Sequence, residues 1–309
     1  MSLQKSLADY LSLRRSLGFK LHSDGQALAT FVEFLDANKS DYITIAQAVC
    51  WAKLTSSNRP SHLGKRLCFV RGFATYLAAF DSRTEIPPAD LFPSKHQRPT
   101  PYLFTDTEIY RLVKAAGQLQ GVGPFLKDSL SCLFGLLSVT GLRISEALNL
   151  TVEDIDLESG IITIAGTKFG KTRLVPLHSS TVSALTRYRD NRQQFLEARS
   201  VGYWFLNQQA KRLGYACVRD NFRKLHKLLD IDSKEGYPRP RLHDLRHHFA
   251  VSTLTRWYKN GVNVDGKLPV LSAYLGHVET RDTYWYITAC PNLMNAAKKR
   301  LEKHWEVGT

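Results

Sequence analysis

Apolar residues recur at helical spacing along most of the chain. Leu3, Leu7, Tyr10, Leu11, Leu13 and Leu17 form one stripe, which predicts a helix over 3–17 closed by Gly18. Ser23 and Gln26 make a capping-box pattern ahead of Leu28, Phe31, Val32 and Leu35. Thr44 and Gln47 repeat that pattern and open a short helix through Trp51. Pro60 suits a helix start, and Leu63, Leu67, Val70, Phe73, Ala74 and Leu77 follow as a long stripe. The first 80 residues thus read as four helices. Pro87, Pro88, Pro93, Pro99 and Pro101 then crowd residues 81–101, which rules out a helix there. Lys95, His96 and Arg98 make this stretch basic, and it reads as a linker.

Thr105 and Glu108 form another capping box, with a helix to about Leu119, and Gly121, Gly123 and Pro124 interrupt it. The next stripe, Leu126, Leu130, Leu133, Phe134, Leu136 and Leu137, has no charge after Asp128 and ends at Gly141; it predicts a buried central helix. The period changes over 151–177. Ile155 with Leu157, Ile161–Ile164, and Leu174–Leu177 are strand-like, with turns at Ser159-Gly160 and Lys168–Lys171. Helices are expected again near 180–197 and 215–230. Gly261 and Gly266 predict a loop before Leu268–Leu275, and Pro291 opens a terminal helix over 291–305. The expected fold is mainly α with a small antiparallel sheet of about three strands.

The chain has 309 residues and a formal net charge of +14. Residues 1–100 carry 13 Lys+Arg against 8 Asp+Glu, and residues 101–309 carry 29 against 20, so both halves are basic. A single basic tail would be a tether; basic charge on both halves points to two domains facing a polyanion. The five cysteines are scattered, with no CxxC and no zinc spacing, as expected of free thiols in a reducing cytoplasm. The polar start and the lack of a membrane-length apolar run predict no signal peptide and no membrane span.

The chemistry concentrates in RLHDLRHHFA and SAYLGHVETRDTYWY. His243 and Arg246 stand three apart, one helix face if helical. Arginine forks can hold the oxygens of a phosphodiester and stay charged at any working pH; Arg143 and Arg246 are the candidates. A tyrosine beside Arg and His can attack phosphorus and form a covalent phosphotyrosine; Tyr284 and Tyr286 are both within reach of His277. A lysine on the tight turn could protonate the leaving oxygen, with Lys168 first and Lys171 second. His243 could assist proton transfer and His277 could donate to a phosphate oxygen. His247 and His248 directly follow Arg246 and are expected to point elsewhere. Glu146, Asp244 and Asp282 stand alone, so no metal and no cofactor is expected. Lys65, Arg66 and Arg71 share one helix, as a solvated face or a DNA-facing edge; Lys95, Arg98, Lys171 and Arg173 are further DNA-binding candidates.

TGLRISEALNL, GTKFGKTRLVPL, HDLRHHFA, LGH and a tyrosine nine positions on occur in that order between residues 140 and 286. This series resembles the tyrosine recombinase (phage integrase) family. The resemblance implies a catalytic set of Arg143, Lys168, His243, Arg246, His277 and Tyr286, with Tyr286 the nucleophile and Glu146 supporting Arg143. It implies a two-domain clamp on duplex DNA, with an N-terminal helical, SAM-like core-binding domain over 1–85, a linker over 86–102 and a catalytic domain over 103–309. It further implies a homotetramer that exchanges strands through 3′-phosphotyrosine and a Holliday junction without metal or ATP. The 291–305 helix would dock into a neighbouring protomer, and a partner recombinase or DNA-bending protein could take part. A cytoplasmic, nucleoid-associated location follows. A type IB topoisomerase-like nicking-closing enzyme and a catalytically silent DNA-binding protein are the alternatives. The chain departs from the pattern in its long 257–267 segment, WYKNGVNVDGK, and in showing no arm-binding domain.

Overall fold

The computed structural model describes residues 2–57, 59–92, 100–165, 172–231, 238–288, 290, 293–295, 298 and 302. The chain forms two compact units, Met1–Arg98 and Pro99–Thr309.

In the first unit, α1 (Leu3–Ser16), α2 (His22–Ala37), α3 (Ile45–Lys53) and α4 (Pro60–Leu77) enclose one apolar core. Phe31, Leu35, Val70 and Phe73 are fully buried there, and each such side chain contributes about 1.5–3 kcal/mol relative to exposure. The capping box of Thr44 and Gln47 forms as the sequence suggests. The one at Ser23 and Gln26 does not. Helix α2 starts at His22 after Leu21 in the left-handed region (φ 43°), and the Ser23 hydroxyl donates to Asp24 instead.

Two of the basic candidates on α4 are engaged internally. Arg66 lies 3.7 Å over the Trp51 ring and donates to the Trp51 carbonyl. Arg71 donates to the carbonyls of Pro87 (2.6 Å) and Pro88 (2.7 Å). The beginning of the expected linker is therefore held against α4. Lys95 and Arg98 lie outside the described residues.

The second unit contains α5 (Asp106–Gly117), α6 (Pro124–Thr140), α7 (Ile144–Asn149), β1 (Ile155–Asp156), β2 (Ile161–Ile164), β3 (Arg173–Pro176), α8 (Ser179–Leu196), α9 (Tyr215–Leu228), α10 (Asp244–Lys259), α11 (Val264–Leu275) and α12 (Arg281–Thr288). Helix α6 is the central one, as its uncharged stripe predicts, and packs against α5, α8 and α10. The sheet is antiparallel in the order β1-β2-β3, with Ile162 opposite Val175 and Ile164 opposite Arg173. The unit is thus mostly helical with one small sheet.

The long segment after α10 is a correction. Instead of a loop over 257–267, α10 runs to Lys259 and α11 begins at Val264, its N-terminus capped by the Asn263 side chain on the Gly266 amide. Gly266 and Pro269 are poor helix residues. Burial of Leu268, Leu271 and Leu275 outweighs them. Most of the expected terminal helix over 291–305 lies outside the described residues.

Candidate active site

Two helix ends build the site. Helices α6 and α11 both stop at a left-handed glycine, Gly141 (φ 62°) and Gly276 (φ 68°), which leaves their last carbonyls without helical donors. Three arginines supply donors at α11. Arg173 donates through Nε to the Tyr274 carbonyl (2.9 Å), Arg246 through Nη2 to Leu275 (2.7 Å), and Arg143 through Nη2 to Gly276 (2.8 Å). Arg246 spans both ends, since its Nη1 donates to the Gly141 carbonyl (2.7 Å). The negative end of each helix dipole favours the cations.

Glu146 ties the arginines together. Its carboxylate accepts from the Arg143 amide (2.8 Å), from Arg143 Nη1 (2.8 Å), and from Arg173 Nη1 (3.0 Å) and Nη2 (2.7 Å). Burial alone would raise its pKa. Hydrogen bonds from Arg173 and Arg143 overcome that and hold it below the usual carboxylate value. Arg173 therefore sits inside the site with only 12 % of its side chain exposed. It does not project from the hairpin as a DNA-facing side chain.

His243 forms the N-cap position of α10, and Arg246 lies one turn on, fully buried. The Asp244 carboxylate accepts from the Arg241 amide and guanidinium. His277 follows the α11 cap, with its Nδ1 2.7 Å from the buried Thr283 hydroxyl on α12, which sets the ring's orientation. Tyr286 lies in the second turn of α12, 3 % exposed, with its ring stacked near His277 at 6.0 Å between centroids. Tyr284 is 48 % exposed on the other side of the helix.

His247 does not point away, contrary to expectation. Its ring stands 4.7 Å from His243, 5.1 Å from Trp285 and 5.4 Å from Tyr286. Successive helical residues differ by about 100°, but at this first turn the packed α12 covers that direction too. His248 does turn aside, with Nδ1 2.9 Å from the Phe104 carbonyl.

The three histidines share a bias toward the neutral form. Desolvation lowers His243 to about 4, helped by the charges of Arg246, Arg241 and Arg143. His277 is also brought to about 4, by burial and then Arg246 and Arg143, and His247 to about 3, by burial and then His243 and Arg241. His243 is open to solvent on one side, so water offsets its shift more than it does for the enclosed His247. Burial raises the Asp244 carboxyl, with the hydrogen bonds from Arg241 opposing. With His247 neutral, its 3.8 Å approach to Asp244 is a dipolar contact and not an ion pair. Neutral imidazoles beside fixed guanidinium charges make a pocket that donates hydrogen bonds to an anion around a phenol.

The tight turn between β2 and β3, with Lys168 and Lys171, lies outside the described residues. A second basic surface escaped the sequence reading. Arg219, Arg223 and Lys227 follow at four-residue spacing on α9. With Tyr215, Arg239 and Arg241 they line a hollow of about 510 Å³. The run YACVRDNFRKLHKL carries this signal, one basic residue per turn beside Val218, Phe222 and Leu225.

The sequence model of the phage integrase family matches residues 102–292, which span this whole site. The chain belongs to the phage integrase family. Across families of known proteins, this integrase-family chain is 42 % identical to "Putative integrase/recombinase y4rB" of Sinorhizobium fredii, over 99 % of its own length and 98 % of the relative. It is 26 % identical to tyrosine recombinase XerD of Pseudomonas putida, covering 84 % of this chain and 78 % of that protein. Its fold matches the Tn1549 transposon integrase in complex with transposon right end DNA (TM-score 0.64, 18 % identity, 98 % and 99 % covered). It also matches the XerH site-specific recombinase bound to palindromic difH substrate (TM-score 0.66, 19 % identity, 90 % and 78 % covered).

Proposed function

We propose that this integrase-family protein is a site-specific tyrosine recombinase of the integrase or transposase type. The observation that carries the reading is the enclosure of Tyr286 by His277 and His247 against the Arg246–Arg143 pair. A phosphodiester set beside these guanidiniums gains hydrogen bonds to its non-bridging oxygens, and these strengthen as charge builds in the transition state. The Tyr286 hydroxyl oxygen attacks phosphorus and the bond to the 5′ oxygen breaks. The phenol proton leaves with assistance from His243, which is neutral and open to solvent, and Lys168 protonates the 5′ oxygen. The 3′-phosphotyrosine keeps the energy of the broken ester, so a second strand's hydroxyl can reverse the step without metal or ATP.

The helical Met1–Arg98 unit and the α9 basic hollow both suit a clamp on duplex DNA. Arg219, Arg223 and Lys227 are placed to contact phosphates along one helix face. Strand exchange in pairs through a Holliday junction requires four protomers, with residues 291–305 docking between neighbours.

A nicked suicide duplex carrying the recognised site tests this. A covalent protein–DNA adduct should form and disappear in Tyr286→Phe. Loss of the adduct in Tyr284→Phe with retention in Tyr286→Phe would remove Tyr286 as nucleophile. Transfer of the cleaved strand to a second duplex separates recombination from mere nicking and closing.

A further inference from the structure

We infer that Arg173 is a positioning residue that keeps the charge of Arg143 available to DNA, an inference that rests on the recombinase reading above. One carboxylate, Glu146, serves two guanidiniums unequally. Arg173 holds both of its oxygens in a fork, at 3.0 and 2.7 Å, whereas the Arg143 side chain reaches only one, at 2.8 Å. The forked geometry is the stronger pairing. Exposure follows the same order: the Arg173 side chain is 12 % exposed and that of Arg143 36 %. Arg173 thus takes the larger share of the Glu146 charge from the buried side. The Arg143 guanidinium keeps a single bond to the carboxylate and one to the Gly276 carbonyl, and its side chain stays partly exposed.

Without Arg173, the carboxylate loses one donor on each oxygen and keeps only the Arg143 amide and Nη1, so Arg143 becomes its sole partner. Glu146 then draws Arg143 inward, neutralises it and competes with phosphate for it. Arg173 also fixes α11, since its Nε holds the Tyr274 carbonyl, and Gly276 comes so close that an added Cβ would lie 2.8 Å from Arg173 Nη1. Its place at the start of β3, opposite Ile164, links this pairing to the base of the hairpin.

Adduct formation on the suicide duplex at saturating protein measures the effect. Arg173→Met is expected to slow cleavage roughly 10- to 100-fold, the scale of a misplaced catalytic group. Arg173→Lys, which keeps the charge and loses the fork, should fall between. Adding Glu146→Gln to Arg173→Met should restore part of the lost rate, because it removes the competitor for Arg143. A double variant no faster than Arg173→Met overturns the inference, as does a loss confined to DNA affinity. A loss abolished by a 5′-thiolate leaving group, which needs no proton, also overturns it by moving the defect to Lys168. If Arg173→Met does not fold, Arg173→Lys with and without Glu146→Gln carries the same comparison. Absence of any adduct from the unaltered protein would defeat the recombinase reading instead. The pairing is then judged without DNA, by the Arg143 Nε signal in nitrogen NMR. That signal should shift in Arg173→Met and return with Glu146→Gln; an unmoved signal overturns the inference.

Discussion

Tyr284 and Tyr286 stand two residues apart on α12 and face opposite ways, Tyr286 at 3 % exposure against His277 and His247, Tyr284 at 48 %. Two residues turn a helix by about 200°, so only one of the pair can face the arginines.

Tyr286→Phe keeps the packed ring, so its thermal midpoint should stay close to that of the unaltered protein. Tyr286→Ala empties the space and should cost about 3–5 kcal/mol, as large aromatic truncations do. Thermal or urea unfolding checks both. An unstable Tyr286→Phe would mean that the hydroxyl itself holds the core together.

The histidines predict an acid limb to stability. Their folded pKa values, about 4 for His243 and His277 and about 3 for His247, lie below the unfolded value near 6.5. The unfolded chain therefore binds protons more readily. The stabilisation from neutral histidines is complete above pH 6.5 and declines as pH falls toward 4, by at most about 1.4 kcal/mol per pH unit for His247 and by less for the exposed His243, whose shift solvent screens. His247, the most enclosed, should contribute most. Urea midpoints between pH 7 and 4 should fall less steeply in His247→Phe, and an unchanged slope would remove His247 as a source.

Gly276→Ala meets two obstacles, a φ of 68° and Arg173 Nη1 at 2.8 Å from the new Cβ. Left-handed strain costs about 1–3 kcal/mol. Because the obstructing atom ends a flexible side chain, the fold should survive while Arg173 is displaced from Glu146. Gly141→Ala should be the more damaging, since its Cβ would meet the Phe249 ring at 2.6 Å. Circular dichroism melts rank the two, and the reverse order would contradict this packing.

Arg219→Ala, Arg223→Ala and Lys227→Ala should each weaken DNA binding similarly for specific and random duplexes. Each should also reduce the slope of log affinity against log salt by about 1 where it meets a phosphate. Titration of fluorescent duplex across salt concentrations reads both. Unchanged slopes would exclude α9 as a phosphate-contacting face.

The helices were legible because burial and capping leave local marks, as at Thr44 with Gln47 and Thr105 with Glu108. Motif order singled out Arg143, Arg246, His277 and Tyr286, which the fold brings together, although nothing local says that Gly141 and Leu275 share a guanidinium. Arg173 was hidden because a charge beside a basic turn resembles a solvated tip, and its inward partner Glu146 is 27 residues away. His247 was hidden by the assumption that neighbours on a helix face apart, which fails where two sides of the helix are covered. Helix α11 was hidden by Gly266 and Pro269, whose local cost is smaller than what the leucines gain by burial.

The three arginines on the carbonyls of Tyr274, Leu275 and Gly276 come from β3, α10 and the turn before α7. Their positions share one datum, the last turn of α11, in addition to the Glu146 carboxylate that joins Arg143 to Arg173 and the Gly141 carbonyl that holds Arg246. A shift of that turn carries the whole cationic cradle with it and brings His277 along, since the His277 amide donates to Ser272 in the same turn. A displacement of α11 therefore moves the arginines and His277 relative to Tyr286 as one part.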